Sequence, residues 1–121
     1  MGPEIAGEPR ERPGECEGGA CHKCMINRGR NEVTVTPPRL ETVVGDRVVW
    51  TLTGSNTGAT ARIELPHPDI VDPGRELIAR IGRPIEVDVL KEGHFEYRVE
   101  ARSAEYEPVS AMAVLIIGRE P

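Results

Sequence analysis

Aromatic residues are scarce in this chain: Trp50, Phe95, Tyr97 and Tyr106 are the full set among 121 residues. Four rings are too few for a base-stacking platform. A basic surface is also missing. With 15 Lys and Arg against 20 Asp and Glu the net charge is −5, so no positive stripe is available to a phosphate backbone and nucleic-acid binding is not expected. Long apolar runs are absent too. The longest, Ala111 to Ile117, falls far short of the about 20 residues a helix needs to cross a bilayer, so membrane insertion is not expected. Met1 is followed by Gly-Pro-Glu rather than by a basic start and an apolar segment. No signal peptide is visible, and a cytoplasmic location is the default expectation. Finally, catalytic motifs are missing: there is no Gly-x-Ser-x-Gly elbow, no phosphate loop and no His-Glu-x-x-His helix. Ser55, Ser103 and Ser110 have no histidine near them in sequence. The chain is expected not to be an enzyme.

What is present divides into two textures. Residues 1–30 hold six Gly, three Pro and no aromatic, and their only branched apolar residues are Ile5 and Ile26. Such a segment buries too little surface to offset its ordering entropy, so 1–30 is expected to be a flexible Gly/Pro/Cys-rich arm unless a metal or partner orders Cys16–Cys24; the alternative is a flap lying on the domain, anchored by Ile26. From Asn31 the pattern has period two. Val33 and Val35 alternate with threonines up to Pro37-Pro38; Val48, Trp50 and Leu52 follow the Gly45-Asp46 turn. Ala59 to Leu65, Ile85 to Val89 and Phe95 to Val99 alternate in the same way, and Leu77 to Ile81 reads as a short strand or a helical turn. Ala111 to Ile117 is apolar at both parities, as a central strand covered on both faces would be. Short alternating runs bounded by turn residues predict an all-β, Greek-key β-sandwich over 31–121. The expected core includes Trp50, Tyr97, Val99, Val114 and Ile116.

The order of these signals resembles the cupredoxin family. VTVTPPRLETVVGDRVVWTLTG resembles its opening strand, proline break and "V-x-x-G-D-x-V-x-W" strand; IEVDVLKEGHFEYRV resembles its late hairpin, and AMAVLII its closing strand. Immunoglobulin-like sandwiches share some of these features and are the runner-up fold. The resemblance implies where copper ligands would fall. The cysteine position is Val99, the first histidine position is near Thr60 or Ala61, the second is near Ala101 or Arg102, and only Met112 matches as a methionine. A type-1 copper site needs two imidazoles and a thiolate, so type-1 copper is not expected. Met112 reads as a core-filling residue rather than a relic ligand.

All three cysteines lie in CEGGACHKC, at Cys16, Cys21 and Cys24. An odd count argues against a closed disulfide framework. The C-x4-C-x2-C spacing and glycine-rich first gap resemble the loop of plant-type ferredoxins, but a fourth cysteine is absent. Zinc is the leading cofactor candidate, with His67 or His94 supplying the fourth ligand; an iron–sulfur cluster or Cu(I) ranks behind it. A Cys21–Cys24 disulfide is the thiol-redox alternative, Lys23 and a protonated His22 favouring the thiolate form; three thiols in a tail with no persistent ligand is the remaining reading. The expected function is a non-enzymatic binding or interaction module with a protein partner and a metal- or redox-sensitive arm. The alternatives are a small electron-transfer protein with its centre at the arm, and a structural subunit of an assembly.

Overall fold

The computed structural model describes residues 15–16, 19–54 and 58–119. They form eleven strands and no helix: β1 (Glu15–Cys16), β2 (Gly19–Arg28), β3 (Val33–Thr36), β4 (Arg39–Val43), β5 (Arg47–Thr53), β6 (Thr60–Glu64), β7 (Val71–Asp72), β8 (Leu77–Arg80), β9 (Ile85–Val89), β10 (Gly93–Arg102) and β11 (Val109–Gly118). One sheet runs β1-β2-β5-β9-β7, with β3 also paired to β2; the other runs β4-β11-β10-β6-β8. Their inner faces make a Greek-key sandwich. Pro37 and Pro38 explain how one early segment serves both sheets. Proline cannot continue a ladder, so β3 ends on β2 and the chain resumes as β4 beside β11.

Alternation sets the core. Val48, Trp50 and Leu52 of β5, Val87 and Val89 of β9, and Tyr97, Val99 and Ala101 of β10 are buried, while the residues between them face outward. At about 25 cal/mol per Å2 of apolar surface, these stripes are the main favourable term in folding. Glu64 and Arg98 (3.1 Å) and Asp88 and Arg47 (3.1 Å) pair across strands on the outer faces. Exposed pairs of this kind contribute little, about 0–1 kcal/mol each.

Two expectations need correction. The sandwich does not start at residue 31. β2 lies inside the segment expected to be an arm, pairs in parallel with β5 from Cys21↔Arg47 to Asn27↔Thr53, and buries Cys24 and Ile26 completely. Two apolar side chains suffice here because the β5 and β3 ladders satisfy the backbone on both sides of β2. Residues 1–14, 17 and 18, where the rest of the expected arm falls, lie outside the described residues. The last strand also has the opposite parity. Ala113, Leu115 and Ile117 are buried, and Val114 and Ile116 take the outer face with Met112, which is 60% exposed. Met112 is thus neither a core filler nor aimed at a ligand cluster. Leu77–Arg80 is a strand.

Candidate functional site

The polar chemistry inside the sandwich is carried mainly by the inward face of β2. Its alternation aims His22, Cys24, Ile26 and Arg28 at the opposite sheet, one above another. Each polar member meets a different partner.

At the lower end, the β4–β5 turn presents Asp46. The backbone of the turn is fixed by Asp46 N to Val43 O (3.0 Å) and by the exchange of Gly45 N and Asp46 O with Val89. The Asp46 carboxylate accepts from Val43 N (3.0 Å), Ala20 N (3.3 Å) and His22 Nε2 (2.8 Å). An ionised carboxylate can only accept, so His22 Nε2 carries the proton in that bond. Burial alone would push the Asp46 carboxyl up, but the His22 bond, the two backbone N–H bonds and the His22 charge outweigh it and hold it below its ordinary value. Asp46 therefore pins the start of β2 to the turn.

In the middle lies a buried chain of donors. Trp50 Nε1–H donates to Tyr97 Oη (3.2 Å), Tyr97 Oη lies 3.7 Å from Cys24 Sγ, and Cys24 Sγ donates to Pro37 O (4.0 Å). Because the thiol hydrogen serves Pro37, the Tyr97 hydroxyl donates to sulfur, and each group hands on one hydrogen. The rings of Trp50 and Tyr97 also meet edge to face at 5.8 Å, a preferred aromatic geometry. Burial pushes the Cys24 thiol up and raises Tyr97 as well. Both stay protonated at neutral pH, and since the thiolate is the nucleophile and metal ligand, Cys24 is chemically quiet.

At the upper end Arg28 is only 2% exposed, and its Nη2 donates to the carbonyl of Glu107 (2.7 Å) in the connection between β10 and β11. Gly54, at φ +143°, sits where an added Cβ would come within 2.8 Å of Arg28 O. The end of β5 can hug the end of β2 only because a glycine is there.

Among the described side chains, the cysteines expected to share a metal do not converge on one point. Cys21 is disulfide-bonded and Cys24 is free; the partner of Cys21 is outside the described side chains, as is the side chain of Cys16. Cys21 and Cys24 point to opposite faces of β2, three residues or about 10 Å apart. They can neither join in a disulfide with each other nor bind one zinc ion, which holds sulfur at about 2.3 Å. The backbone of Cys16 pairs with Gly19 in the β1–β2 ladder. His67 and His94 are brought together: both are exposed and line one shallow recess with Pro66, Phe95 and Glu96. Among the described residues no group of three His, Cys, Asp or Glu side chains is placed to hold a metal ion.

The strand order, the β3–β4 switch between sheets and the β10–β11 hairpin can be compared with solved folds. A purple cupredoxin from Nitrosopumilus maritimus matches over 80% of this chain and 99% of that one, with TM-score 0.55 and 18% identity. The fold is that of a cupredoxin. Amicyanin from Paracoccus versutus (TM-score 0.48, 8% identity, 77% and 78% covered) and pseudoazurin from Hyphomicrobium denitrificans (0.44, 11%, 82% and 76%) are weaker likenesses. No family model and no curated protein sequence matches the chain.

The cupredoxin fold raises the question of whether the residues at the positions marked by the sequence resemblance could hold copper. The matched positions do converge. Ala61 faces Ala101 and Thr60 faces Arg102 across β6 and β10, and Val99 lies one inward step below Ala101. Ala61, Val99 and Ala101 are fully buried and offer only hydrocarbon. Met112 points out of the opposite face of its sheet. Blue copper requires two imidazoles and a thiolate, and these residues do not fit it. Sequence reasoning missed Asp46 and Arg28. The signal for Arg28 was available: it shares the parity of Cys24 and Ile26, so a charge was due to fall on a buried face.

Proposed function

We propose that this chain is a non-enzymatic binding module, a cupredoxin fold that does not use type-1 copper, and that its partner is a protein. The observation that carries the reading is the hydrocarbon lining of Ala61, Val99 and Ala101 where the fold would hold copper ligands. The surface supports a peptide-like partner. β8 stops with Leu77 opposite Ile63, so beyond it Glu64 and Leu65 front an open groove of about 520 Å3 bounded by Arg62, Pro68 and Arg75. An extended segment can add to such a strand margin. A Cu(II) and Cu(I) titration with absorbance detection tests the reading. The expected result is no strong thiolate-to-copper band and no one-to-one retention after desalting. A blue or purple species would overturn it.

One observation favours a thiol-redox role as a second reading: an oxidised Cys21 and a reduced Cys24 in the same strand. Disulfides persist in oxidising compartments, so the bond at Cys21 argues for such a compartment rather than the cytoplasm. Thiol counting on protein isolated under rapid acid quench would decide it; three free thiols would remove the argument.

A further inference from the structure

The upper end of the sandwich buries an organic cation, the guanidinium of Arg28 on β2. The connection Ser103–Pro108, which joins β10 to β11, has two anchors. Ser103 Oγ accepts from Glu105 N (3.3 Å) and Tyr106 N (3.0 Å), closing the first part on itself. The second part is tied across the sandwich by Arg28, whose Nη2 reaches Glu107 O at 2.7 Å from the other sheet. Arg28 is 2% exposed. A guanidinium is costly to bury unless its donors find acceptors, and a planar fork of donors is well suited to bracing a loop. Its backbone is built in as firmly: Arg28 pairs with Val33 of β3, and Gly54 of the β5 end packs on its carbonyl.

We infer that Arg28 is the brace of this end of the sandwich, holding the Ser103–Pro108 connection onto β2 by a fixed charge and its hydrogen bond. The brace is a positioning residue, and its effect is local. It fixes the shape of an exposed loop whose Glu105, Tyr106 and Glu107 face or border solvent.

Amide hydrogen exchange on the full chain tests this. Arg28→Met keeps the length and removes the charge and donors. Exchange at residues 103–108 is expected to quicken by about tenfold, the factor one charge-assisted hydrogen bond represents, while amides of Val48–Leu52 and Val87 hold their rates. Arg28→Lys should fall between the two. Unchanged exchange in 103–108, or a uniform rise through every strand, would show that Arg28 only fills space. Should Arg28→Met fail to fold, the unaltered protein still decides. A bracing guanidinium gives Arg28 N–H protons that rotate and exchange slowly by NMR; fast rotation and solvent-like exchange would overturn the inference. This outcome is independent of the copper titration, and either can fail alone.

Discussion

Replacing Tyr97 by Phe removes one oxygen atom and leaves the ring. Tyr97 is 1% exposed, and its hydroxyl sits between Trp50 Nε1 (3.2 Å) and Cys24 Sγ (3.7 Å), both on fully buried residues. The edge-to-face packing with Trp50 survives, and the void is smaller than a methyl group. The dominant loss is the oxygen acceptor of the indole N–H, which keeps only the weaker acceptor Cys24 Sγ, a cost of about 1 kcal/mol. The bond to sulfur adds less, because Cys24 keeps Pro37 O. Denaturant unfolding followed by far-UV circular dichroism should show a lower midpoint at unchanged slope. Trp50→Phe removes the donor, so the double variant should cost less than the two single variants summed, with a coupling of about 1 kcal/mol. Strict additivity would refute the chain of donors. So would a native Trp50 emission typical of water.

Other consequences of the structure can be checked separately. Asp46 is held below its ordinary carboxyl value, so it binds fewer protons folded than unfolded. Its stabilisation is complete above about pH 4 and is lost as pH falls through the folded value. Asp46→Asn should therefore destabilise at neutral pH and flatten the acid limb of a stability-versus-pH curve; an unchanged acid limb would remove Asp46 as the pin. Cys24 should resist a thiol reagent in the native state and react in step with unfolding as denaturant is added, and rapid native labelling would contradict its burial. Gly54→Ala must take φ +143° and bring Cβ to 2.8 Å of Arg28 O, so a loss of about 1–3 kcal/mol is expected in thermal unfolding.

The strands whose two parities differ in polarity were legible. Val48-Trp50-Leu52 set against Val49-Thr51-Thr53 leaves no doubt about which side is buried, and the observed burial of Trp50 follows. The strands that misled do so for physical reasons. β2 alternates Ala20, His22, Cys24, Ile26 and Arg28 with Cys21, Lys23, Met25 and Asn27, so its inner face does not look apolar. Cys24 acts there as a small hydrophobe, although three nearby thiols suggest chelation. Along β11 both parities are apolar, so period two cannot choose a face. Its partner chooses: Tyr97 of β10 faces inward and lies opposite Ala113, where a small side chain leaves room for the ring. The cupredoxin resemblance was carried by the turn and strand signals. The candidate site was less legible, because Asp46 and Arg28 act on residues distant in sequence, 24 and 79 positions away.

The parallel pairing of β4 with β11, which sets Leu40 opposite Leu115, and of β2 with β5 has a consequence for how the chain reaches this state. Neither pair can form as a hairpin. Each must close a long loop before its contacts repay the entropy lost. During synthesis β4 has no neighbour on its β11 side until β11 leaves the ribosome, so a nascent chain carries an unpaired strand margin while the strands between them are made. Folding dominated by such distant pairings is slow for the size of the domain, and the interval before β11 arrives is when this protein is most exposed to association with other chains.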